Sequence, residues 1–364
     1  MNDSMNVSHW IFNDTIDQQP MNTNIRIATS SEKVVYILFG CIGILGNLLV
    51  VVAVMSVKSR AKHYADLLIV NQSVIDLLSS VFIIATTLTV DTGIRRLSGF
   101  ADELYCRFWI SGYVIWSLFL SSTYNLVLLT LERYMAIVHP IRYYTWLTWG
   151  KFYAAVTLVW CVGPVYNMMH RIPTSGLADG VCYKFHFWPS RLTARVFGIV
   201  ALMVQFFLPL AILIYAYVRM TVRLRNKVHP VGPTPSQAVA GTSHTATAGV
   251  QHDADTRAKG IKERASKSIF KTMVTVTVCF VICWIFNQVL FLLFNFGYHV
   301  DFQSPFYHFT VYIAFANSCV NPFIYTFQYN VFRQGLRELF CAHRNIETGS
   351  GHPQTATGDR SHHT

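Results

Sequence analysis

Seven long apolar blocks constrain the fold of this chain more than any other feature of its sequence. They cover residues 34–57, 66–90, 107–131, 152–169, 196–218, 269–296 and 306–328. A bilayer core about 30 Å thick is crossed by roughly 20 apolar residues in helical form. Helices are required, because backbone groups in lipid must be paired within their own segment and the alternating pattern of a membrane barrel is absent. The sequence predicts an all-α membrane protein, a seven-transmembrane helix bundle.

The distribution of charge predicts how this bundle is oriented. Charged residues make up only 13% of the chain, about half the share found in soluble domains. With the N-terminus outside, 20 Lys and Arg lie on cytoplasmic segments and 9 on extracellular ones, as the positive-inside rule requires. We therefore expect a multi-pass plasma-membrane protein with an extracellular N-terminus and a cytoplasmic C-terminus. The net charge of +11 then reflects topology and attraction to membrane lipid, not nucleic-acid binding.

The N-terminal segment has the features of a glycosylated extracellular region. Residues 1–31 are polar, and Asn2, Asn6 and Asn13 each begin an N-glycosylation triplet. Three triplets within fifteen residues, on the side that charge independently places outside, predict that at least one is used. The seven-transmembrane domain is expected to follow over residues 32–329.

Two cytoplasmic stretches are predicted to be disordered, with a short helix between them. The third cytoplasmic loop, about 229–256, is rich in Pro, Gly, Ser, Thr and His and has too few large apolar residues to order itself. Residues 330–341 place apolar side chains on one helical face, which predicts an amphipathic helix on the membrane surface. Cys341 ends it in a position suited to palmitoylation, with a plain reduced cysteine as the alternative. Residues 342–364 form the predicted disordered tail.

The eight cysteines divide by their predicted location. Five lie inside spans, where each is expected to be a small core residue. Two lie outside, Cys106 at the start of the third span and Cys182 in the loop after the fourth, so an oxidising exterior leaves each as the other's partner. We predict a disulfide that fixes the second outer loop over the mouth of the bundle. No CxxC pair or His/Cys cluster suggests zinc.

Enzyme and transporter functions find little support in the sequence. An intramembrane enzyme needs paired catalytic groups, but the chain has no HExxH or GxSxG motif, and Asp76 has no carboxylate partner in any span. We therefore expect that the protein is not an enzyme and needs no cofactor. A transporter is expected to have internal repeats or interrupted helices in matching halves. No repeat is visible, so transport is a remote alternative.

One cytoplasmic motif introduces a family resemblance. Glu132-Arg133-Tyr134 ends the third span and is followed by a loop that contains Ile141. This segment resembles the E/DRY motif and second inner loop of rhodopsin-like (class A) G-protein-coupled receptors. The resemblance continues along the membrane region in the expected order, at Gly46-Asn47, Asp76, Trp160, Pro209 with Tyr217, and Asn321-Pro322-Phe323-Ile324-Tyr325.

The resemblance implies a receptor that binds an extracellular ligand and activates heterotrimeric G proteins by nucleotide exchange. Arrestin and receptor kinases are expected as further partners. In this family Arg133 is held near Glu132 and the sixth helix at rest, and is freed for the transducer on activation. Ile141 is expected to insert into the G protein as an apolar knob. The expected coupling and switch residues are Glu132, Arg133, Tyr134, Ile141, Tyr217, Pro322 and Tyr325.

The sixth span departs from the family pattern. Phe286 stands where the family usually has proline, and no Pro or Gly occurs from Ile269 to Phe296. Sharp helix kinks almost always have an identifiable cause such as proline. We therefore expect this helix to be straighter than is usual in the family.

The outer half of the bundle holds the candidate ligand pocket. Its expected residues are Ile115, Trp116, Phe119, Gln205, Trp284, Asn287, Gln288, Phe291, Tyr307 and Val311. Side-chain amides at membrane depth are costly unless they are paired or face water. Ile115 occupies the position of the aspartate of amine receptors, and no lysine between 306 and 328 is available for retinal. A neuropeptide is the preferred ligand; a lipid or other small neutral ligand is the alternative.

A polar cluster at mid-depth predicts an allosteric sodium ion. Asp76 lies about ten residues from the inner end of its helix, roughly 15 Å, and other oxygen-bearing side chains reach a similar depth. The expected ligands are Asp76, Ser122, Asn317, Ser318 and Asn321. A lone buried carboxylate is costly unless it is protonated or meets a cation. The alternative is a protonated Asp76 that is hydrogen-bonded to Asn47 and Asn321.

Overall fold

The computed structural model describes the backbone of most of the chain. The described residues are 30–57, 63–89, 99–185, 187–228, 247–301 and 304–348, without the side chains of 225–228, 247–269 and 340–348. The predicted glycosylation sites Asn2, Asn6 and Asn13 lie outside this range, and so does the side chain of Cys341. Glycosylation and palmitoylation therefore stay predictions.

The described elements are mainly long helices. The α-helices are α1 Ser30–Ser56, α2 Tyr64–Thr89, α3 Phe100–Leu104, α4 Tyr113–Val138, α5 Pro140–Trp146, α6 Trp149–Thr174, α7 Arg191–Leu202, α8 Leu208–Val228, α9 Thr247–Asn295, α10 Pro305–Gln328 and α11 Asn330–Thr348. A π-helical segment, Tyr105–Ile110, lies between α3 and α4, and another, Met203–Phe207, joins α7 to α8. Strands β1 Gly176–Ala178 and β2 Val181–Tyr183 form an antiparallel hairpin.

The helices match the seven predicted spans in order, which confirms the predicted bundle. Six helical stretches of the described chain are long and apolar enough to cross a membrane, and they correspond to α1, α2, α3–α4, α6, α7–α8 and α9. The seventh, α10, is long enough but more polar, because it carries Asn317, Ser318 and Asn321 on a face that is buried against its neighbours. Polar side chains turned inward keep the lipid-facing surface apolar.

The third span is the centre of the bundle. Helix α4 contacts α2, α6 and α8, while α10 contacts α1 and α9. Most side chains of α4 are buried. Gly163 on α6 makes its approach to α4 close, because a Cβ there would lie 2.0 Å from the carbonyl oxygen of Ser117. A central helix that touches several others is well placed to transmit a change from one end of the bundle to the other.

Several helix ends differ from their predicted positions. Helix α9 begins at Thr247, within the stretch 229–256 predicted as a disordered loop, because its Ala-, Lys- and Arg-containing start extends an existing helix and needs no new nucleus. Helix α11 continues to Thr348, past the predicted end at Cys341 and into the predicted disordered tail. No Pro or Gly occurs from Leu336 to Thr348, so nothing in the local sequence stops the helix earlier.

The sixth span is unbroken where the family usually has a proline. Helix α9 runs through Phe286 as one α-helix up to Asn295. The absence of proline leaves every backbone N–H of this region available for the helical ladder. Its overall curvature stays a prediction.

Candidate ligand pocket and cytoplasmic switch

The predicted disulfide is present and fixes the hairpin to the third span. Cys106, in the π-helical segment, is bonded to Cys182 in β2, with the two Cα atoms 5.6 Å apart. A second link lies beside it, since Glu103 pairs with Arg107 at 2.6 Å and accepts the Leu177 amide at 2.9 Å. We call this end of the bundle, which carries Cys106 and Cys182, the disulfide end.

Aromatic side chains form the floor of the predicted pocket. The Trp284 ring lies 5.9 Å from Trp116 and 5.4 Å from Phe119, both edge to face. Phe119 and Trp284 are buried, as is Ile115 on the same helix as Phe119. The Trp284 indole nitrogen has no hydrogen-bond partner among the described residues. The floor is therefore apolar, except for the Trp284 N–H, which is free to donate a hydrogen bond.

The predicted amides lie above this floor. Gln205 donates to the Tyr166 hydroxyl at 3.2 Å, and Gln288 donates to the Gln205 carbonyl at the long distance of 3.5 Å. The Gln288 side-chain oxygen is buried without a described partner. Asn287, next to Gln288 in sequence, is also buried. Of the three predicted amides, the structure brings Gln205 and Gln288 together.

The remaining predicted pocket residues line the far side. Phe291 lies edge to face with Phe185, at 5.4 Å between ring centroids, and with His170, at 6.1 Å. Tyr307 is partly buried in the first turn of α10, and Val311, one turn further along, is buried. Phe185 and His170 extend the aromatic surface and were not predicted from the sequence.

Arg171 is the main pocket residue that the sequence did not single out. It lies in the last turn of α6 and is buried. Its guanidinium donates to the Ser111 carbonyl at 2.8 Å and to the Asn167 side-chain oxygen at 3.0 Å. It also lies over the ring of Trp116, at 4.7 Å, and that of Phe185, at 5.0 Å. A charge at the end of a span resembled an ordinary boundary residue, because these contacts come from distant parts of the sequence.

A second cation accompanies Arg171. Lys184 follows β2, two residues after the disulfide, and interacts electrostatically with Arg171. Burial and the neighbouring Arg171 lower the pKa of Lys184 to about 8, so the amine is still mostly protonated at neutral pH. Neither cation forms an ion pair within the described part of the chain. The disulfide end therefore carries two cations that have no ion-pair partner among the described residues.

Two of the predicted sodium ligands, Ser122 and Asn321, contact Asp76, together with Gln72, which was not predicted. The buried Asp76 carboxylate accepts from Asn321 at 2.8 Å, Ser122 at 3.0 Å and Gln72 at 3.2 Å. Asn47 donates instead to the carbonyls of Gly43 and Ser318. The Asn47–Asp76 hydrogen bond of the alternative hypothesis is therefore not among the described contacts, and the Asn47 NH2 group donates to the two carbonyls.

Two oxygens of this cluster are left without hydrogen bonds. Within the described residues, the Asn47 side-chain oxygen and the Ser318 hydroxyl have no partner. Asn317, adjacent to Ser318, is buried too. Together with Asp76, these are the neutral and anionic oxygen ligands that hard cations prefer.

The opposite end of the bundle, which we call the Arg133 end, holds a closed ion pair. The Arg133 guanidinium donates through two nitrogens to the two carboxylate oxygens of Glu132, and both residues are buried. Tyr143 on α5 donates to the same carboxylate at 2.6 Å. Burial and Glu132 raise the pKa of Tyr143, which keeps its phenol protonated as a donor. The expected contact of Arg133 with the end of the sixth helix falls on side chains outside the described set.

The other predicted switch residues lie around this pair. The Tyr217 hydroxyl bonds to Thr277 at 2.8 Å and to Thr130 at 3.1 Å, and donates to the Met273 carbonyl at 3.1 Å. These contacts join the fifth, third and sixth spans. Tyr325 is fully buried, and Pro322 lies inside α10.

Ile141 lies on α5 and is 81% exposed, unlike the buried switch residues Glu132, Arg133 and Tyr325. Tyr134, also predicted as a switch residue, forms a hydrogen bond with His139 at 3.3 Å. A cluster of exposed apolar side chains often marks a surface that a partner covers. Tyr144 and Trp146 on the same short helix are exposed as well.

Comparison with known proteins agrees with this arrangement. The family model described as 7 transmembrane receptor (rhodopsin family) matches residues 46–325. The chain is 28% identical to the Allatostatin-A receptor of Bombyx mori, over 91% of this chain and 86% of that protein. It is 28% identical to Neuropeptide FF receptor 1 of Homo sapiens, over 90% and 74%, and 25% identical to the Alpha-1A adrenergic receptor of Oryzias latipes, over 89% and 68%. The chain belongs to the rhodopsin family of seven-transmembrane receptors.

Proposed function

We propose that this protein is a cell-surface receptor that binds an extracellular peptide and activates heterotrimeric G proteins by nucleotide exchange. The disulfide end faces the exterior, where disulfides persist, and the Arg133 end faces the cytoplasm. The observation that carries the proposal is the pairing of two sites in one bundle: an aromatic and amide-lined pocket at the disulfide end, and the Arg133–Glu132 pair at the other end of the central helix α4.

The chemistry of the pocket favours a peptide over a cationic amine. Ile115 supplies no counter-ion, and the described groups near it are neutral amides, aromatic rings and the cation Arg171. The unpartnered Gln288 oxygen and Trp284 nitrogen match the N–H and C=O groups that every peptide carries. The names of the Allatostatin-A and neuropeptide FF receptors agree with a peptide ligand. A lipid or other small neutral ligand is the alternative.

The cytoplasmic surface supports the transducer part of the proposal. Ile141 on α5 is an exposed apolar residue close to a charged network, which is the combination expected at the core of a protein interface with a polar rim. Arrestin and receptor kinases are proposed as further partners on the family resemblance alone.

A peptide screen with a direct biochemical readout tests the function. Cells that express the chain with a promiscuous transducer are exposed to peptide and lipid libraries, and active compounds are repeated on purified receptor in nanodiscs with G protein. We expect a peptide to accelerate nucleotide exchange. A Cys106→Ser chain, compared at equal surface expression, serves as the control, since it keeps every cytoplasmic residue and loses the fixed outer loop. Activation by lipids with no active peptide would overturn the peptide assignment.

We also propose that the Asp76 cluster binds a sodium ion in the resting state. The support is the pair of unpartnered oxygens on Asn47 and Ser318 beside a buried carboxylate. Asn321, Ser122 and Gln72 already donate to the Asp76 carboxylate, so hydrogen-bond donors for its charged form are in place. A protonated Asp76 is the competing hypothesis.

A further inference from the structure

Arg171 is a buried cation for which the described structure provides no anion. Only 6% of the residue is exposed. Its hydrogen bonds within the described residues go to two neutral acceptors, the Ser111 carbonyl and the Asn167 amide oxygen. Burying a charge is costly unless it is paired as well as hydrogen-bonded. Arg171 satisfies the second condition and not the first.

The aromatic contacts of Arg171 orient the guanidinium without neutralising it. Its central carbon lies 4.7 Å from the centroid of Trp116 and 5.0 Å from that of Phe185. Such contacts stabilise a cation through the negative faces of the rings. They also hold the guanidinium plane in a fixed position, which prepares it for two parallel hydrogen bonds to a carboxylate.

No described carboxylate forms an ion pair with Arg171. Glu103 pairs with Arg107 and accepts the Leu177 amide, and a Glu32 carboxylate oxygen lies 3.4 Å from the His308 imidazole. A second cation, Lys184, immediately precedes Phe185, whose ring lies 5.0 Å from the Arg171 guanidinium. Two positive charges on neighbouring segments raise the local potential for an anion.

Arg171 shares its aromatic neighbours with the predicted ligand pocket. Trp116, which it covers, is part of the aromatic floor with Trp284. Phe185, on its other side, contacts Phe291. A ligand that reaches these rings therefore lies next to the guanidinium.

We propose that Arg171, assisted by Lys184, binds a carboxylate of the extracellular ligand. The ligand is thus an acidic peptide, and its carboxylate is either the free C-terminus or an Asp or Glu side chain. The inference rests on the proposed function only in that it takes the disulfide-end pocket as the ligand site. It predicts a marked preference for acids over their neutral amides of the same shape.

Matched small probes test this preference without knowledge of the natural ligand. Purified receptor in nanodiscs is titrated with N-acetyl-phenylalanine and its amide, and separately with N-acetyl-glutamic acid α-amide and N-acetyl-glutamine α-amide. Binding is followed by the rise in unfolding temperature, which depends on probe affinity. Because hydrogen bonds to charged groups are the strong ones, one acid is expected to bind at least about tenfold more tightly than its amide. The pair that shows the preference identifies the C-terminal or the side-chain source.

Variants assign the preference to the two cations. Arg171→Gln is expected to remove the difference between acid and amide while the amide still binds, and Lys184→Gln to reduce it several-fold. Arg195→Gln is the control, since Arg195 is an exposed arginine on α7 at the same end, and it should retain the full preference. If Arg171→Gln does not fold, the loop variant Lys184→Gln and the charge-preserving Arg171→Lys decide the question.

The outcomes separate this inference from the proposed function. Equal binding of acid and amide by the wild-type receptor, or a preference that survives in both Arg171→Gln and Lys184→Gln, overturns the carboxylate site. If peptides still drive nucleotide exchange in that case, the receptor function stands without it. Acid-selective binding with no peptide-driven exchange supports the carboxylate site and removes the signalling proposal.

Discussion

The two ends of the bundle each hold a buried arginine, and the two arginines are treated differently. Arg133 donates to both oxygens of Glu132, and Tyr143 donates to the same carboxylate. Arg171 contacts neutral acceptors and aromatic rings, and its charged neighbour is the cation Lys184. One charge is balanced within the protein; the other is not balanced by any described residue.

This difference indicates that the Arg133 end acts as an internal switch and that the Arg171 site binds an external anion. Breaking a buried pair leaves an uncompensated charge, which costs about 3–5 kcal/mol. The Arg133 end therefore stays closed until another interaction replaces Glu132. At the disulfide end Arg171 has no carboxylate partner among the described residues, and an external anion would supply one. A ligand that stabilises one arrangement of the bundle more than the other shifts the equilibrium between them.

The largest effect is expected when the frame of the disulfide end is removed. Cys106→Ser or Cys182→Ser releases a loop closed over 76 residues of sequence, and a bridge of this kind contributes roughly 3–5 kcal/mol in the chain-entropy model. Surface expression or ligand binding should be lost, as measured by surface labelling and peptide binding. A matched Cys161→Ser variant, at an exposed free cysteine on α6, should behave as wild type. Normal binding in both bridge variants would remove this disulfide from the account of the pocket.

The next largest effect is expected when Arg133, like Arg171, is left without a carboxylate partner. Glu132→Gln leaves Arg133 without its carboxylate, as Arg171 is now. A hydrogen bond to a charged group contributes about 1.5–3 kcal/mol, and its loss from the resting state shifts the equilibrium at least about tenfold. Ligand-free nucleotide exchange on the G protein should rise accordingly.

Tyr143→Phe is the companion to that experiment. It removes one hydrogen bond to Glu132 and leaves the ion pair intact, so its effect on ligand-free exchange should have the same direction and be smaller. Unchanged exchange in Glu132→Gln would mean that the pair is not the restraint on the resting state.

The fold was largely predictable from the sequence, because the bilayer restricts the alternatives. Apolar length requires seven helices, and the location of the cysteines requires one bridge, Cys106–Cys182. Helix ends were less predictable. The ends of α9 and α11 depend on how far a helix propagates into polar sequence, which apolar length does not encode. The two π-helical segments were not predicted either, since no single residue type specifies them.

The site was predictable in depth but not in chemistry. Trp116, Phe119 and Trp284 were all predicted to line the ligand pocket, Trp284 on the family resemblance, and the structure brings their rings together. Arg171 was counted only as an extracellular charge, because its partners are distant in sequence, and Lys184 was noted only as part of the long second outer loop. Gln72 was likewise missed at the Asp76 cluster, since an amide one turn away from a carboxylate resembles any other buried polar residue.

Ile141 tests whether the Arg133 end docks a partner through α5. Burial of an isoleucine side chain contributes about 1.5–3 kcal/mol, so Ile141→Ala should lower agonist-stimulated nucleotide exchange by about tenfold or more at limiting G protein. Agonist affinity measured without G protein should hardly change. Leu192→Ala is the matched truncation, because Leu192 is 70% exposed at the disulfide end. If Leu192→Ala and Ile141→Ala reduce exchange equally, the docking surface is placed wrongly.

The smallest effect concerns the region between the two arginines, where sodium is proposed to favour the resting bundle. The unpartnered oxygens of Asn47 and Ser318 supply neutral ligands, and Asp76 supplies the charge. A ligand that binds one state alone lowers the affinity of any ligand that favours the other state. Replacing potassium by sodium at constant ionic strength should therefore weaken agonist binding about fivefold, near the lower end of allosteric couplings.

Asp76→Asn keeps the shape of the side chain and removes its charge, so the variant should bind agonist equally in both salts. Ser318→Ala removes one neutral ligand and should reduce the sodium effect without abolishing it. Agonist affinity that is indifferent to sodium in the wild type and in Asp76→Asn alike favours the protonated carboxyl. In that case the coupling between the two ends passes through the hydrogen bonds of Asn321, Ser122 and Gln72 to Asp76, with no ion involved.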